Sequence, residues 1–219
     1  MNRYASAAAA AFVLLGSSAI APASAAAFDG FYFGVQVGDT WGDVSQPYGD
    51  VGGPFDSTQN GFKGSALNAG GHIGYDFLLD QFVIGAVADY NFINFEGDDA
   101  GSGGDVNGLK IDSVITARIR AGYLVLPRSL VYATAGEAWM SGGASAPTET
   151  PSADFSGYTF GLGASFAIGD DATFGVEWRR FEFDRERVSF PVNDYDEGIK
   201  PNIDTIQVSL SYYLSGLVN

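Results

Sequence analysis

Eight ionisable side chains occupy positions from which β-strands would carry them all to one face of a sheet. They are Asp76, Asp89, Arg118, Arg120, Glu137, Glu177, Arg179 and His72. Each stands in a segment where apolar residues alternate with small or polar ones, and a strand sends successive side chains to opposite faces. Buried charges are costly unless they are paired. We therefore predict that these acids and bases form interlocking salt bridges inside a closed sheet, with Asp112 beside them.

Eight segments of the chain carry this alternation and must position the charges. The most regular one places Tyr158, Phe160, Leu162, Ala164, Phe166 and Ile168 opposite a face of glycine, threonine, serine and alanine. The segments cover about 31–41, 66–77, 82–92, 111–125, 130–141, 157–168, 173–179 and 205–214. The alternation is weakest between 130 and 141. There we place Leu130, Tyr132, Ala138 and Met140 outside, because that puts Glu137 inside.

The connections between these segments alternate in length. Residues 78–81, 126–129 and 169–172 read as tight turns, and residues 42–65, 93–110, 142–155 and 184–201 read as long loops. Short turns at one end and long loops at the other are typical of a membrane barrel that is apolar outside and polar inside. The sequence therefore predicts an all-β fold, an eight-stranded antiparallel up-and-down transmembrane β-barrel. A soluble barrel with the apolar face inward is disfavoured, because those side chains would overfill an eight-stranded interior.

The predicted charge network has two interpretations. One is a polar plug that holds the barrel in shape, and the other is a pore lining or gate. We favour the plug, because eight strands leave little room for water. His72 is the only histidine. A membrane lipid hydrolase would need a histidine, a nucleophilic serine and an acid near the lipid, whereas strand parity places His72 inside. We therefore expect a structural histidine and no enzymatic activity.

The N-terminus reads as an export signal. Arg3 precedes an apolar run, and Ala23-Ser24-Ala25 is a small-residue cleavage motif. We predict a cleavable secretory signal peptide over 1–25 and a barrel domain over 26–219. The net charge of -15 argues against a nucleic-acid partner, and the lack of cysteine removes disulfides and thiolate metal sites. No metal site and no cofactor are expected.

Four strings resemble a known family. They are Gly70-Gly71-His72-Ile73-Gly74-Tyr75, Gly85 to Tyr90, Arg118-Ile119-Arg120-Ala121-Gly122-Tyr123 and Tyr132-Ala133-Thr134-Ala135-Gly136-Glu137-Ala138. Together they resemble the small outer-membrane β-barrel proteins of alphaproteobacteria, called outer membrane immunogenic or porin-family proteins, which have the OmpA-like barrel. The chain departs from that family at Thr134-Ala135-Gly136, where Thr-Gly-Gly is usual. It also departs after Tyr212-Tyr213, which other residues follow where the family usually ends on an aromatic.

The resemblance implies a location in the cell outer membrane and a structural or surface-interaction role, without a known reaction. It also implies contact with the barrel-insertion machinery during biogenesis. We expect contact with outer-membrane lipid and lipopolysaccharide and a monomeric state. The acidic loops fit either plain solvation or cation-bridged contact with lipopolysaccharide. Two alternatives stay open: a narrow low-conductance porin-like channel and an outer-membrane lipid hydrolase.

Overall fold

The computed structural model describes residues 25–50, 52–54, 57–98, 108–145, 151–190 and 195–214. Residues 1–24 lie outside this set, so the signal peptide over 1–25 stays a prediction. Within the described ranges, no helix is long and apolar enough to cross a membrane.

The described residues form one short 3-10 helix and nine strands. The helix is Ala25–Phe28, and the strands are β1 (Gly30–Asp50), β2 (Ser57–Leu79), β3 (Phe82–Asp98), β4 (Gly108–Leu126), β5 (Ser129–Ser145), β6 (Ser152–Ala167), β7 (Ala172–Phe183), β8 (Glu186–Phe190) and β9 (Tyr195–Tyr213). Each strand from β1 to β6 pairs antiparallel with the next, β7 pairs with β9, and β9 pairs with β1. This closes an eight-stranded barrel, as predicted.

The ninth strand, β8, continues β7 after a short interruption. Both pair with β9: Glu182 lies opposite Asn202 in β7, and Glu186 lies opposite Ile199 in β8. The two residues between them, Asp184 and Arg185, belong to no strand. The seventh strand of the barrel therefore consists of β7 and β8, which are separated by a two-residue break.

The predictions of tight turns and of long loops differ in how well they agree with the structure. The three tight turns are confirmed, since β2–β3, β4–β5 and β6–β7 are each joined by two to four residues. The long loops are wrong over most of the part that the structure describes, because the strands continue there as paired hairpin arms. The remaining loop residues 51, 55–56, 99–107, 146–150 and 191–194 lie outside the described residues. Tyr48 still pairs with Ser57 in the first of these loops. Backbone groups in such a segment need partners, and the antiparallel neighbour supplies them. We call the end of the barrel that carries the short turns 80–81, 127–128 and 168–171 the turn end. The opposite end, where the strands extend as long hairpins, is the hairpin end.

The outer wall of the barrel is apolar over a broad belt. Leu67 is 76% exposed and Ile119 is 70% exposed, and large apolar side chains on every barrel strand are exposed in the same way. Trp41, Trp139 and Tyr158 lie exposed near the hairpin-end limit of this belt. A continuous apolar belt around a closed barrel is suited to contact with lipid.

Two sequence predictions about facing direction are wrong. In β5, Glu137 is exposed and lies opposite Ala117 and Tyr158, whereas Leu130, Ala138 and Met140 are buried. Tyr132, which was also predicted to face outward, points inward and contacts Arg120. The facing direction was assigned wrongly because large apolar residues were taken to face lipid, whereas β5 points such side chains inward at both of its ends.

Asp112 is also exposed rather than inward. The pairing of β4 with β5 shifts register between Ile111 and Ser113, so the strand bulges at this point. A bulge reverses the parity beyond it, and Ile111 becomes the buried residue.

Candidate functional site: the packed interior of the barrel

The barrel interior is filled in three successive layers. The turn-end layer contains Phe28, Tyr32, Asp76, Arg120, Tyr132 and Tyr213. The charge layer contains Asp89, Arg118, Glu177 and Arg179 with their hydrogen-bonding neighbours. The hairpin-end core contains Ile93, Ile111, Val114, Ala138, Met140, Ala153, Phe155, Phe181, Phe183, Val188, Ile199 and Ile203.

The charge layer is a ring of ion pairs across the barrel. The Arg118 guanidinium lies 2.6 Å from the carboxylate of Asp89 and 2.7 Å from that of Glu177. Arg179 lies 3.0 Å from Asp89 and 3.8 Å from Glu177. These four side chains come from β3, β4 and β7 and are almost wholly buried. Two arginines and two carboxylates thus neutralise one another without a counterion.

Neutral side chains complete the charge layer. Thr116 donates to Asp89 at 2.6 Å, and Thr134 donates to Glu177 at 2.8 Å. Arg179 donates to the side-chain oxygen of Gln207 at 2.5 Å. Hydrogen bonds of this kind reduce the cost of burying charges. The network therefore links β3, β4, β5, β7 and β9 through side-chain contacts across the interior.

The turn-end layer is built around Arg120. Its guanidinium lies 2.9 Å from the carboxylate of Asp76, with the Tyr132 ring centroid 4.7 Å away. Tyr213 donates to Asp76 at 2.7 Å and stacks on Tyr32 with the ring centroids 4.8 Å apart. The cation–π contact and the paired carboxylate together offset much of the cost of burying this guanidinium.

Glycines let these aromatic rings lie against the wall. The Tyr32 ring occupies the space that a Cβ on Gly74 would need, and the Tyr132 ring does the same at Gly163. Phe28, from the short helix, is fully buried and contacts Tyr213 edge-on at 6.4 Å. The turn end of the interior is therefore occupied by packed aromatic side chains.

The hairpin-end core was missed from the sequence. Ile93, Ala153, Phe155, Val188 and Ile199 lie in segments predicted as loops, and Ile111, Ala138 and Met140 lie on predicted strands that were assigned the opposite facing direction. Val114 lies on a predicted strand without having been assigned to the core, and Phe181, Phe183 and Ile203 lie between the predicted segments. One signal was available: Glu177 and Arg179 point inward, and Phe181 and Phe183 continue the same parity along β7. The inward residues change from charged to apolar at this point, and the alternation itself does not stop.

Six of the eight predicted site residues are brought together as ion pairs: Asp76, Asp89, Arg118, Arg120, Glu177 and Arg179. Glu137 lies on the outer wall. His72 lies inside without an ion pair, and its Nε2 lies 2.8 Å from the Ser211 hydroxyl. Its Nδ1 has no hydrogen-bond partner. A catalytic pair needs a third group to orient the histidine, and none contacts this nitrogen among the described residues.

A closed barrel with an apolar outer belt and an interior of paired charges is a membrane-spanning β-barrel of the OmpA or OprG kind. The chain belongs to the family described as outer membrane protein beta-barrel domain, which matches residues 8–213. The 31 kDa outer-membrane immunogenic protein of Brucella melitensis is 27% identical over 88% of this chain and 86% of its own length. The 22 kDa outer membrane protein of Rhizobium leguminosarum bv. viciae is 26% identical over 86% of this chain and 80% of its own.

These matches confirm the family resemblance and the location in the cell outer membrane. The crystal structure of OprG from Pseudomonas aeruginosa superimposes with a TM-score of 0.58, covering 84% of this chain and 97% of that one. At 15% sequence identity this likeness shows the fold alone.

Proposed function

We propose that this protein is a closed, non-enzymatic barrel with a structural or surface-interaction role in the Gram-negative envelope, its hairpin end facing outside the cell. The observation that carries the proposal is the filled interior. Aromatic rings occupy the turn end, ion pairs occupy the middle, and apolar side chains occupy the hairpin end. An eight-stranded interior is only just wide enough for its own side chains. A solute would have to displace all three layers.

The absence of activity is proposed from the chemistry of the interior. The His72–Ser211 pair is buried and lacks a group to orient the histidine. The charged residues are engaged with one another. The names of the relatives in Brucella and Rhizobium describe outer-membrane proteins and state no reaction.

A planar-bilayer conductance trace of the refolded protein tests the closed barrel. We expect no resolved conductance steps from the parent or from Arg180→Ala, whose guanidinium lies on the outer wall. Stable steps whose ion selectivity changes in Arg118→Ala, and not in Arg180→Ala, would show that the interior conducts and would overturn the proposal.

A narrow pore is the second candidate, and one observation favours it. Among the residues that the structure describes, five buried side-chain atoms of the interior have no protein hydrogen-bond partner: Asn68 Oδ1, His72 Nδ1, Asp76 Oδ1, Arg120 Nε and Arg179 Nε. Buried polar atoms of this kind are commonly satisfied by water. A hydrated interior would support conduction, and the same bilayer trace separates the two candidates.

The orientation is tested with protease added to whole cells. Cleavage within the hairpins is expected, and the turn at Pro127-Arg128 is expected to be spared. Cleavage at that turn in intact cells would invert the orientation. Contact with lipopolysaccharide, insertion by the barrel machinery and a monomeric state remain parts of the proposal. The outer-wall pair Arg180–Asp204, at 2.8 Å, lies where lipid headgroups would reach it.

A further inference from the structure

The chain enters the barrel through a short segment that does not belong to its wall. Ala25–Phe28 forms a single 3-10 turn, and β1 begins at Gly30, at the turn end. Ala27 and Phe28 are fully buried. Among the described residues, no backbone hydrogen bond joins either of them to a barrel strand. The segment therefore lies in the mouth of the barrel and outside its sheet. We call residues 25–29 the N-terminal stopper.

Apolar side chains of three neighbouring strands hold the stopper in the mouth. Ala27 and Phe28 form one buried cluster with Val83 of β3, Leu124 of β4 and Leu130 of β5. Apolar burial is non-directional, so it favours the docked position without fixing a hydrogen-bonded register. The stopper is therefore held by side-chain packing, whereas β1, which follows it, is held by strand pairing on both sides.

The stopper lies on the turn-end side of a buried ion pair. The Phe28 ring contacts the Tyr213 ring edge-on, and the Tyr213 hydroxyl donates to the Asp76 carboxylate at 2.7 Å. Asp76 in turn pairs with Arg120. Among the described side chains, Asp76 Oδ1 and Arg120 Nε have no protein hydrogen-bond partner, so water that reaches them can form hydrogen bonds there. The position of the stopper therefore keeps water at the turn end away from this pair.

The attachment of the stopper allows it to leave the mouth. Asp29 accepts a hydrogen bond from the Leu78 N–H at 3.0 Å, and this bond is exposed to water. Gly30 follows with a φ of +103°, which residues with a side chain rarely adopt, and the nearest atom to a Cβ built there lies 3.9 Å away. Rotation about Gly30 would move the stopper and leave the pairing of β1 from Phe31 onward intact. The predicted cleavage after Ala25 would also give the stopper a free end.

We propose that the N-terminal stopper is a detachable seal, which turns about Gly30 and controls the access of water to the turn-end layer of the interior. When it is docked, Phe28 covers Tyr213 and the ion pair beneath it. When it is undocked, water reaches the turn-end layer, while the charge layer and the hairpin-end core stay closed. The proposal deepens the closed barrel and rests on that proposed function. In the orientation proposed above, the stopper faces the periplasm.

The first experiment measures water access at both ends of the interior with cysteine reporters. The chain has no cysteine of its own. Val83→Cys places a thiol in the stopper cluster, and Val114→Cys places one in the hairpin-end core; the two valines are 0% and 2% exposed. The refolded variants, in detergent micelles, are treated with a charged methanethiosulfonate that reacts with thiols exposed to water. We expect slow labelling of both, and fast labelling of Val83→Cys would overturn the proposal.

The second experiment combines Phe28→Ala with each reporter. Because the substitution removes most of the buried side chain of the stopper, we expect labelling of Val83→Cys to become about thirtyfold faster or more. Labelling of Val114→Cys should stay within about twofold, because the hairpin-end core does not open. Phe28→Leu, which keeps a large apolar side chain, should give a smaller increase than Phe28→Ala. An unchanged rate at Val83→Cys would overturn the proposal. An equal increase at both reporters would also overturn it, since the whole barrel would then have loosened.

The third experiment tests the hinge without changing the packing of the stopper. Gly30→Ala introduces a Cβ into open space, so its effect comes from the backbone conformation alone. A strained φ in the docked state should raise the labelling rate of Val83→Cys about tenfold. The control is Gly71→Ala on the outer wall, where a Cβ meets only the Gly34 carbonyl oxygen, at 3.5 Å. Equal labelling rates in the Gly30→Ala and Gly71→Ala backgrounds would overturn the hinge and the proposal with it.

The outcomes separate this proposal from the proposed function. The labelling experiments use purified protein and do not depend on orientation or conductance. Stable conductance steps from the parent would overturn the closed barrel, whatever the labelling rates are. A silent parent barrel in which both reporters stay slow with Phe28→Ala and with Gly30→Ala would overturn the stopper proposal alone.

Discussion

The membrane belt and the hairpin end of the same barrel bury opposite kinds of side chain. In the belt, β6 exposes Phe160 and Leu162 and points Thr159 inward; nearer the hairpin end it buries Phe155 and exposes Ser156. Inward and outward positions alternate through β6 without a bulge. What changes is the chemistry at each position. Lipid surrounds the belt, so polarity is placed inside, whereas water surrounds the hairpin end, so polarity is placed outside.

The interior of the belt is stabilised differently from the hairpin-end core. In the belt, three carboxylates face three arginines: Asp76, Asp89 and Glu177 against Arg118, Arg120 and Arg179. Ion pairs of this kind hold position through geometry, and removing one partner leaves a buried charge. The hairpin-end core instead depends on apolar burial, as in a water-soluble protein. Substitutions in the two regions should therefore fail for different reasons.

The largest effect is expected from Arg118→Ala in the charge layer. It leaves both Asp89 and Glu177 short of a cation, and losing one partner of a buried pair costs about 3–5 kcal/mol. Heat resistance of the folded band in detergent gels and urea unfolding in micelles measure the loss. Arg180→Ala is the control, since that half-exposed guanidinium should contribute at most about 1 kcal/mol. Equal stability of the two variants would mean that water screens the charge layer.

A comparable loss is expected from Phe155→Ala in the hairpin-end core. Truncating a buried phenylalanine costs about 3–5 kcal/mol through lost burial and the cavity left behind. Urea unfolding measures it, with Ser156→Ala as the neighbouring control on the outer face. If Phe155→Ala unfolds like the control, the hairpin end is not a packed core, and the contrast between the two regions fails.

A matched pair of arginine substitutions tests the outer surface of both regions. Leu162→Arg should cost about 2–4 kcal/mol if the residue lies near the middle of the lipid. Ser156→Arg faces outward on the same strand beyond the belt and should change stability by about 0.5 kcal/mol or less. Refolding yield and unfolding in lipid vesicles give both values. Similar costs at the two sites would show that the belt does not end between them.

A smaller effect on stability is expected from Glu137→Gln on the outer wall, which is compared with Glu177→Gln in the interior. Glu137 is exposed near Trp139, where an acid costs about 1 kcal/mol or less, so its neutralisation should hardly change stability. Glu177→Gln, the same change inside, should cost far more because it weakens the pair with Arg118. Unfolding curves of both variants decide this. A large loss in Glu137→Gln would restore its predicted interior position.

The alternation of apolar and polar residues was sufficient to predict the barrel and most residues of the charge layer. On β2, β3, β4 and β7 a charged residue stands between apolar neighbours, so the parity is unambiguous. On β5 it was ambiguous, because Leu130 and Met140 point inward while Ala133 and Ala135 face lipid. The rule that apolar residues face outward holds only where lipid surrounds the barrel. It could not identify the hairpin-end core, because water surrounds that end and the apolar residues there face inward. The bulge at Asp112 is a register feature that only pairing with β5 reveals.

The smallest effect is expected at the hairpin end, where Asp196 joins two hairpins. Its carboxylate accepts from the Gly52 N–H at 2.9 Å and from Arg187 at 2.8 Å. The hydrogen bond from the Gly52 N–H, followed by those from Ser189 and Arg187, lowers the pKa of Asp196 to about 2. A depressed pKa stabilises the folded state above the ordinary aspartate pKa of about 4, and that stabilisation is lost as the pH falls towards 2. We expect the Gly52 amide resonance to shift over this range, while Asp196→Asn shows no such titration. A midpoint near 4 in the parent would mean that the carboxylate does not hold the two hairpins together.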